Sequence, residues 1–327
     1  MGSSALGAAT DGSLVPSIFA PESTPAHSIH QLSMFVLAVT AGIFVVVCGL
    51  IVYALLRYRR RSTDDDREPA QVYGSNPVEV AWTTVPVLIV VVLSLTTARV
   101  IQDVQNHARP DNALDVEVTG HQWWWEIRYP KLGIVTANEL HVPVSEAGAG
   151  PTFLELRSAD VAHSFWVPRL AGKTDLIPNR VNRMWIEPKR TGLFLGQCAE
   201  YCGTQHAKML LRVYVHTPEE FDGWVTRQKS MAMDKPSASA GRLVFQRTSC
   251  VNCHAISGTA GDGRFGPDLS HLMSRQTIGS GAAENTRENL RAWIANPNHF
   301  KPGALMPGMK LSDAELDEVV DYLMTLR

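Results

Sequence analysis

Gln197-Cys198-Ala199-Glu200-Tyr201-Cys202-Gly203-Thr204-Gln205-His206-Ala207-Lys208-Met209 places two thiols, an imidazole and a thioether within one loop. These are soft and borderline ligands, the set that copper favours and that magnesium or calcium refuses. A second signature follows at Cys250-Val251-Asn252-Cys253-His254. It is the attachment pattern of c-type haem, with Cys250 and Cys253 as thioether partners and His254 as an iron ligand. Two redox centres on one chain of 327 residues point to electron transfer before any other chemistry.

Blue copper sites combine two imidazoles, one thiolate and a weak axial thioether. Here there is a second cysteine, four residues away, and both sulfurs can bridge a pair of copper ions. The second imidazole must come from elsewhere. His163, in Asp160-Val161-Ala162-His163-Ser164-Phe165-Trp166-Val167-Pro168, is the best candidate, expected on a strand at the other side of a sandwich. Met209 and the backbone carbonyl of Glu200 are left as weak outer ligands. Two other readings use the same residues. A local Cys198–Cys202 disulfide leaves His206 and Met209 without a reason. Structural zinc takes four cysteine or histidine ligands, so ligand type alone does not exclude it.

The mean hydropathy is near zero, which hides two apolar stretches. Leu32 to Leu56 and Val80 to Ala98 carry no charge over 25 and 19 positions. Each can cross roughly 30 Å of hydrocarbon as a helix. The segment between them carries Arg57, Arg59, Arg60, Arg61 and Arg67. Positive flanks stay in the cytoplasm, so both termini should face outward from a bacterial cell membrane, with the hairpin in lipid. Residues 1–29 read as a poorly ordered outward tail without a cleavable leader pattern, and residues 30–105 as the transmembrane hairpin.

From 115 to 216, runs such as 139–144, 152–157, 181–187, 192–196 and 210–215 are apolar or alternate apolar with polar, between turn residues Gly148, Gly150, Pro188 and Gly192. Many short strands without intervening helices predict an antiparallel Greek-key sandwich. Thr217 and Glu220 form a capping box with Pro218 at the first helical position, so a helix follows. Residues 106–232 make up this all-β domain. Past a linker at 233–240 the chain turns helical. Ser312 and Glu315 cap a last helix whose Leu316, Val319, Val320 and Leu323 share one face. Residues 233–327 form a small all-α domain, with Phe245 and Tyr322 at the contact of its first and last helices.

With His163, the sulfur-rich loop closely resembles the dinuclear copper A site of cytochrome c oxidase subunit II. Gly120-His121-Gln122-Trp123-Trp124-Trp125 resembles that family's aromatic electron-input segment. Lys173-Thr174-Asp175-Leu176-Ile177-Pro178-Asn179-Arg180 resembles its loop near subunit I, and Glu79-Val80-Ala81-Trp82-Thr83-Thr84-Val85-Pro86 the opening of its second membrane helix. The resemblance implies a cupredoxin-like sandwich and the copper ligands His163, Cys198, Glu200, Cys202, His206 and Met209. It implies that the Glu200 side chain helps hold magnesium at the boundary with subunit I. It also implies that Trp123 passes electrons toward copper and that Glu79 stands at the mouth of a proton pathway in subunit I. The methionine, the loop spacing and this wider match favour copper over zinc.

Phe300-Lys301-Pro302-Gly303-Ala304-Leu305-Met306-Pro307 resembles the distal loop of class I cytochromes c, and Pro267 the proline behind their proximal histidine. His/Met ligation gives such cytochromes their high potential, so Met306 is expected as the second iron ligand, with Met309 the alternative. The whole resembles subunit II of an oxidase that carries its own cytochrome c. An external cytochrome c or a quinol–cytochrome c reductase would then feed haem c, the copper pair and finally haem a in subunit I, where oxygen is reduced and protons are translocated. Two rivals stay open. One is a delivery subunit for another terminal reductase, such as nitrous oxide reductase; the other is a membrane-anchored copper-handling or redox-sensing protein. Nucleic acid is excluded as a partner by charge, with 14 basic and 16 acidic residues over 101–234 and nine of each over 236–327. His27, His30, His107, His121, His141, His216, His271 and His299 show no pattern of their own.

Overall fold

The computed structural model describes residues 15–59, 71, 73–145, 149–232 and 236–327. Residues 1–14 of the tail, the loop arginines Arg60, Arg61 and Arg67, the turn residue Gly148 and the linker residues 233–235 lie outside the described residues. Two units result, Ser28–His107 and the remainder of the chain.

The first unit is built from α2 (Asn76–Gln105) and from α1 (Thr24–Arg57) beyond its first four residues, and these helices hold the two apolar stretches. At about 1.5 Å per residue, each is long enough to span hydrocarbon. Their most apolar windows have no buried share, and Val45, Leu56, Val80 and Leu95 are all exposed. So much apolar surface is unstable in water and suits lipid. Phe35 and Val39 of α1 line one groove with Leu88, Ile89 and Val92 of α2.

In the second unit the chain is anchored well before residue 29, which corrects the reading of the whole segment as a loose tail. Glu22 N–H donates to Arg169 O at 2.8 Å, and the Glu22 carboxylate meets Arg169 and Arg190 at 2.8 and 3.0 Å. Ser23 bridges Pro188, and α1 starts directly behind it.

Ten strands form the sandwich: β1 (Leu114–His121), β2 (Trp124–Tyr129), β3 (Ile134–Ala137), β4 (Glu139–Pro143), β5 (Thr152–Ser158), β6 (His163–Trp166), β7 (Thr174–Leu176), β8 (Asn182–Ile186), β9 (Gly192–Cys198) and β10 (Leu210–His216). One sheet runs β3-β2-β1-β5-β8 and the other β4-β10-β9-β6-β7. The sheets are mixed rather than purely antiparallel, because β1 pairs with β5 and β4 with β10 in parallel. Long connections make those pairs, and local alternation does not report strand direction. Val116, Val118, Trp125 and Ile127 from one sheet meet Leu140, Phe165, Phe194 and Val213 from the other in a single core. Helix α3 (Pro218–Lys229) begins with the expected capping box and seats Trp224 on Tyr129, ring centroids 5.2 Å apart.

The helical domain contains α4 (Ser239–Arg247), α5 (Cys250–Cys253), α6 (Arg287–Ala295), α7 (Pro297–Phe300) and α8 (Asp313–Leu323). Ser312 and Glu315 complete the capping box of α8, and Leu316, Val319, Val320 and Leu323 are buried on its inner face. Phe245 of α4 meets Tyr322 of α8 at 6.0 Å between ring centroids. The two helices cross at Gly241, where a Cβ would lie 1.9 Å from Glu318 O. Only glycine lets the backbones come this close.

Hydrogen bonds join the helical domain to the sandwich. Glu139, almost fully buried, accepts from Gln276 N at 2.9 Å and Thr277 N at 3.2 Å. Ser280 Oγ donates to Leu210 O at 2.7 Å, and Leu210 N–H donates back to Ser280 O at 3.2 Å.

Gly241→Ala should destabilise the helical domain by about 1–3 kcal/mol, the usual cost of overpacking a tight contact. In a calorimetric scan of the full chain its transition should drop by several degrees, about 4–8 °C per kcal/mol in a domain of this size. An unchanged transition would mean that the helices do not cross at Gly241.

Candidate metal centres

Strand pairing assembles the sulfur site. β6 lies beside β9, with Phe165 opposite Cys198. His163 therefore comes from the same sheet as the loop, on the adjacent strand, and not from the other side of the sandwich. On the facing sheet, Gly120 makes room for its ring, since a Cβ there would sit 2.8 Å from His163 Cδ2. β9 ends at Cys198 and β10 begins at Leu210, so the intervening turn carries the remaining ligand types between two paired strands.

The donors converge. Cys198 Sγ lies 3.7 Å from Cys202 Sγ, 4.0 Å from His163 Nδ1 and 3.2 Å from Glu200 O. Cys202 Sγ lies 3.6 Å from His206 Nδ1 and 3.9 Å from Met209 Sδ. Both cysteines are free and buried, and their sulfurs stand far beyond the roughly 2.05 Å of a disulfide. A tetrahedral ion with metal–sulfur bonds of about 2.3 Å separates its sulfurs by about 3.7 Å, so the pair fits a shared metal. His163, Cys198 and Cys202 offer ligand atoms within 4.8 Å of one another.

Electrostatics prepares the site. The hydrogen bond between the two sulfurs pulls the Cys198 thiol well below its ordinary pKa and pushes the Cys202 thiol up. Burial lowers the affinity of His163 for a proton, but Asp160, 2.8 Å from Nε2, and the Cys198 sulfur outweigh it. Asp160 thus fixes the far ring nitrogen and leaves Nδ1 facing the sulfurs.

Around the cage, Gln122 Nε2 and Trp123 Nε1 both donate to Cys202 O, at 2.8 and 3.0 Å. Trp123 thus touches the sulfur loop through the carbonyl of Cys202. The Glu200 carboxylate is exposed and 3.7 Å from Lys173 Nζ. Glu79 is in the first turn of α2, where its carboxylate accepts from Ser75 N at 3.2 Å as a helix cap does.

At the second centre, Cys250 and Cys253 bracket the single turn α5 and His254 follows it. His254 Nδ1 lies 2.8 Å from Pro267 O, which leaves Nε2 as the lone-pair nitrogen. Burial lowers its pKa, so the ring stays neutral, as a ligand must be. Met306 packs against the helical core, and Trp293 Nε1 lies 3.2 Å from its Sδ.

Some features carried no sequence signal. His141 Nδ1 and His216 Nε2 are 2.8 Å apart, and the His141 ring stacks between Tyr214 and Trp224. Their positions on parallel strands β4 and β10 become adjacent only through the tertiary pairing. Lys301 is buried and reaches across to Trp123, although it reads as an ordinary loop lysine.

Comparison with known proteins places this geometry. Residues 15–100 match the cytochrome c oxidase subunit II transmembrane domain, 150–215 its periplasmic domain, and 238–327 cytochrome c. The chain is 35% identical over 315 residues to cytochrome c oxidase subunit 2 of Alkalihalophilus pseudofirmus, covering 94% of this chain and 90% of that one. The chain belongs to the cytochrome c oxidase subunit II family. It is also 33% identical to the subunit 2 of a Bacillus species, over 83% of this chain and 80% of the relative. Among solved structures, the periplasmic domain of oxidase subunit II from Bradyrhizobium japonicum shares 33% identity over 37% of this chain and 96% of that chain, with a TM-score of 0.35. Membership makes the chain a component of an oxidoreductase, a membrane protein with soluble domains, and supports an electron-input role in a haem–copper oxidase. The matched domains point to copper A and haem c.

Asp160→Ala removes the partner of His163 without touching a sulfur. Loss of such an outer hydrogen bond typically costs about 10–100-fold in metal affinity. Copper retained by the purified complex against a competing chelator should fall by that order. Retention equal to the wild type would mean that Asp160 does not orient His163.

Proposed function

We propose that this chain is the electron-input subunit of a respiratory cytochrome c oxidase. It takes electrons from an external cytochrome c or a quinol–cytochrome c reductase at its haem c domain. It delivers them by way of a dinuclear copper A centre to haem a of subunit I, where oxygen reduction is coupled to proton translocation. The observation that carries this reading is the donor geometry of the sulfur loop. Two sulfurs 3.7 Å apart form a common edge, with His163 near one and His206 near the other. Each sulfur has its own imidazole, His163 Nδ1 at 4.0 Å from Cys198 and His206 Nδ1 at 3.6 Å from Cys202, an arrangement that suits a pair of ions better than a single one. Two ions sharing the sulfur edge satisfy every donor.

In this assignment His163, Cys198, Cys202 and His206 hold the metals, with Met209 and Glu200 O as weaker partners. Cys250, Cys253, His254 and Met306 hold haem c. The contact of Met306 with the helical core favours it over Met309. Copper and haem, when bound, each supply a one-electron carrier that the polypeptide lacks. The chain itself excludes water, fixes ligand orientation through Asp160 and Pro267 O, and sets Trp123 against the copper loop. Glu200, exposed beside Lys173, suits a magnesium ion at the subunit I boundary. Glu79, at the start of α2, suits the mouth of a proton pathway. The arginines flanking α1 argue for a cytoplasmic hairpin turn and an outward position for residues 106–232 and 233–327.

The test is a metal count and a spectrum of the purified oxidase. Three copper ions per haem c, one in the haem–copper site of subunit I and two in this chain, with a near-infrared copper band that Cys198→Ser abolishes while haem c absorption persists, support the reading. A single zinc, or isolation without a haem a protein that consumes oxygen, refutes it. Met306→Ala should remove the methionine-to-iron band at the red edge of the ferric spectrum. If Met309→Ala removes it instead, the ligand assignment is wrong.

A further inference from the structure

We propose that Lys301 is a positioning residue: it locks the haem-binding domain onto the backbone of Trp123 and so fixes the gap that an electron crosses between the two centres. The inference rests on the assignment of haem c and copper given above. Lys301 is 3% exposed, and its Nζ donates to Trp123 O and to Gly279 O, each at 2.8 Å. One carbonyl belongs to the sandwich and the other to the helical domain. Both neighbours of Lys301 are held as well. Phe300 O accepts from Lys208 Nζ at 2.7 Å, and Pro302 O accepts from Gln205 Nε2 at 2.6 Å. Thus three successive residues of the loop that leads to Met306 are fastened to the copper domain. From Trp123 the contact continues through its indole N–H to Cys202 O at 3.0 Å.

Domains joined by a linker move relative to each other unless their interface prevents it. A buried lysine is an expensive way to add stability, because an apolar side chain of the same length would avoid desolvating a charge. Burial pushes the Lys301 amine down to about 7. What the ammonium offers in exchange is direction: two short bonds to carbonyls from different domains define a position, which packing alone does not.

The test uses the assembled oxidase, wild type and Lys301→Met. Haem c is reduced by one electron from an added photoreductant dye excited by a light flash, with a sacrificial amine donor to regenerate the dye, and haem reoxidation is followed together with the near-infrared copper band at increasing glycerol. In the wild type the transfer rate should not depend on viscosity. In Lys301→Met both spectra should persist while transfer slows roughly tenfold or more, the scale on which small displacements of reacting groups act. The slowed rate should also become viscosity-dependent, since the domain must now find its seat. An unchanged rate in Lys301→Met overturns the proposal, as does a wild-type rate that falls with glycerol. If Lys301→Met fails to load a cofactor, Lys301→Gln replaces it, with slowing expected and an unchanged rate again fatal. A wild-type complex without the copper or haem c absorption would refute the assignment of the centres, a failure visible before any rate is measured.

Discussion

The pairing of Phe165 with Cys198 between β6 and β9 is the constraint on which the rest of the copper site depends. It sets the start of β6 beside the end of β9, so His163 reaches the sulfurs although it lies 35 residues from Cys198. A slip of one residue would turn every side chain of β6 to the other face of the sheet. His163 would then leave its bed against Gly120, and Trp125 and Phe165 would lose their edge contact at 5.9 Å. The same packing that buries these aromatics therefore enforces ligand geometry. Site precision is inherited from the sandwich core, which is why the donors converge on strand ends and a short turn.

The parts legible in the sequence are those whose physics is local. The ligand turn and the Cys-x-x-Cys-His pattern are spacings within a few residues. The two apolar helices and both capping boxes need only neighbouring positions. Harder to read were β2 and β3, because tryptophan falls on both faces of β2. Trp125, Ile127 and Tyr129 point inward, while Trp124 shares the outer face with Glu126 and Arg128. Apolar bulk on the outer face blurs the two-residue period. Strand β7 is three residues long, too short for any period. The parallel pairs, the sheet membership of His163 and the His141–His216 contact are decided by pairings between distant segments, which leave no mark on local composition.

The joint between the sandwich and the helical domain shows the same limit from another side. Neither portion carries appreciable net charge, which argues against long-range steering. That says nothing about a docked interface made of side chains hydrogen-bonded to backbone groups. Glu139, Lys301, Gln205 and Lys208 all find main-chain partners in the opposite domain. Segments 276–281 and 299–303 read as irregular loops when each domain is considered alone, because the partners of their polar groups belong to the other domain. Main-chain partners also make the joint depend on backbone position rather than on complementary charge.

Cys202 links the two halves of the molecule. Its sulfur is part of the ligand cage, while its carbonyl accepts the N–H groups of Gln122 and Trp123. Trp123 in turn offers its own carbonyl to Lys301. Displacing the loop before Met306 would therefore pull on the Trp123 backbone, and displacing Trp123 would alter the hydrogen bonding of Cys202, a residue proposed as a metal ligand. Hydrogen bonding around a ligating cysteine tunes the potential of a copper site. With the centres assigned as proposed, placement and tuning would share a route through Trp123, made of side chains that donate to main-chain carbonyls.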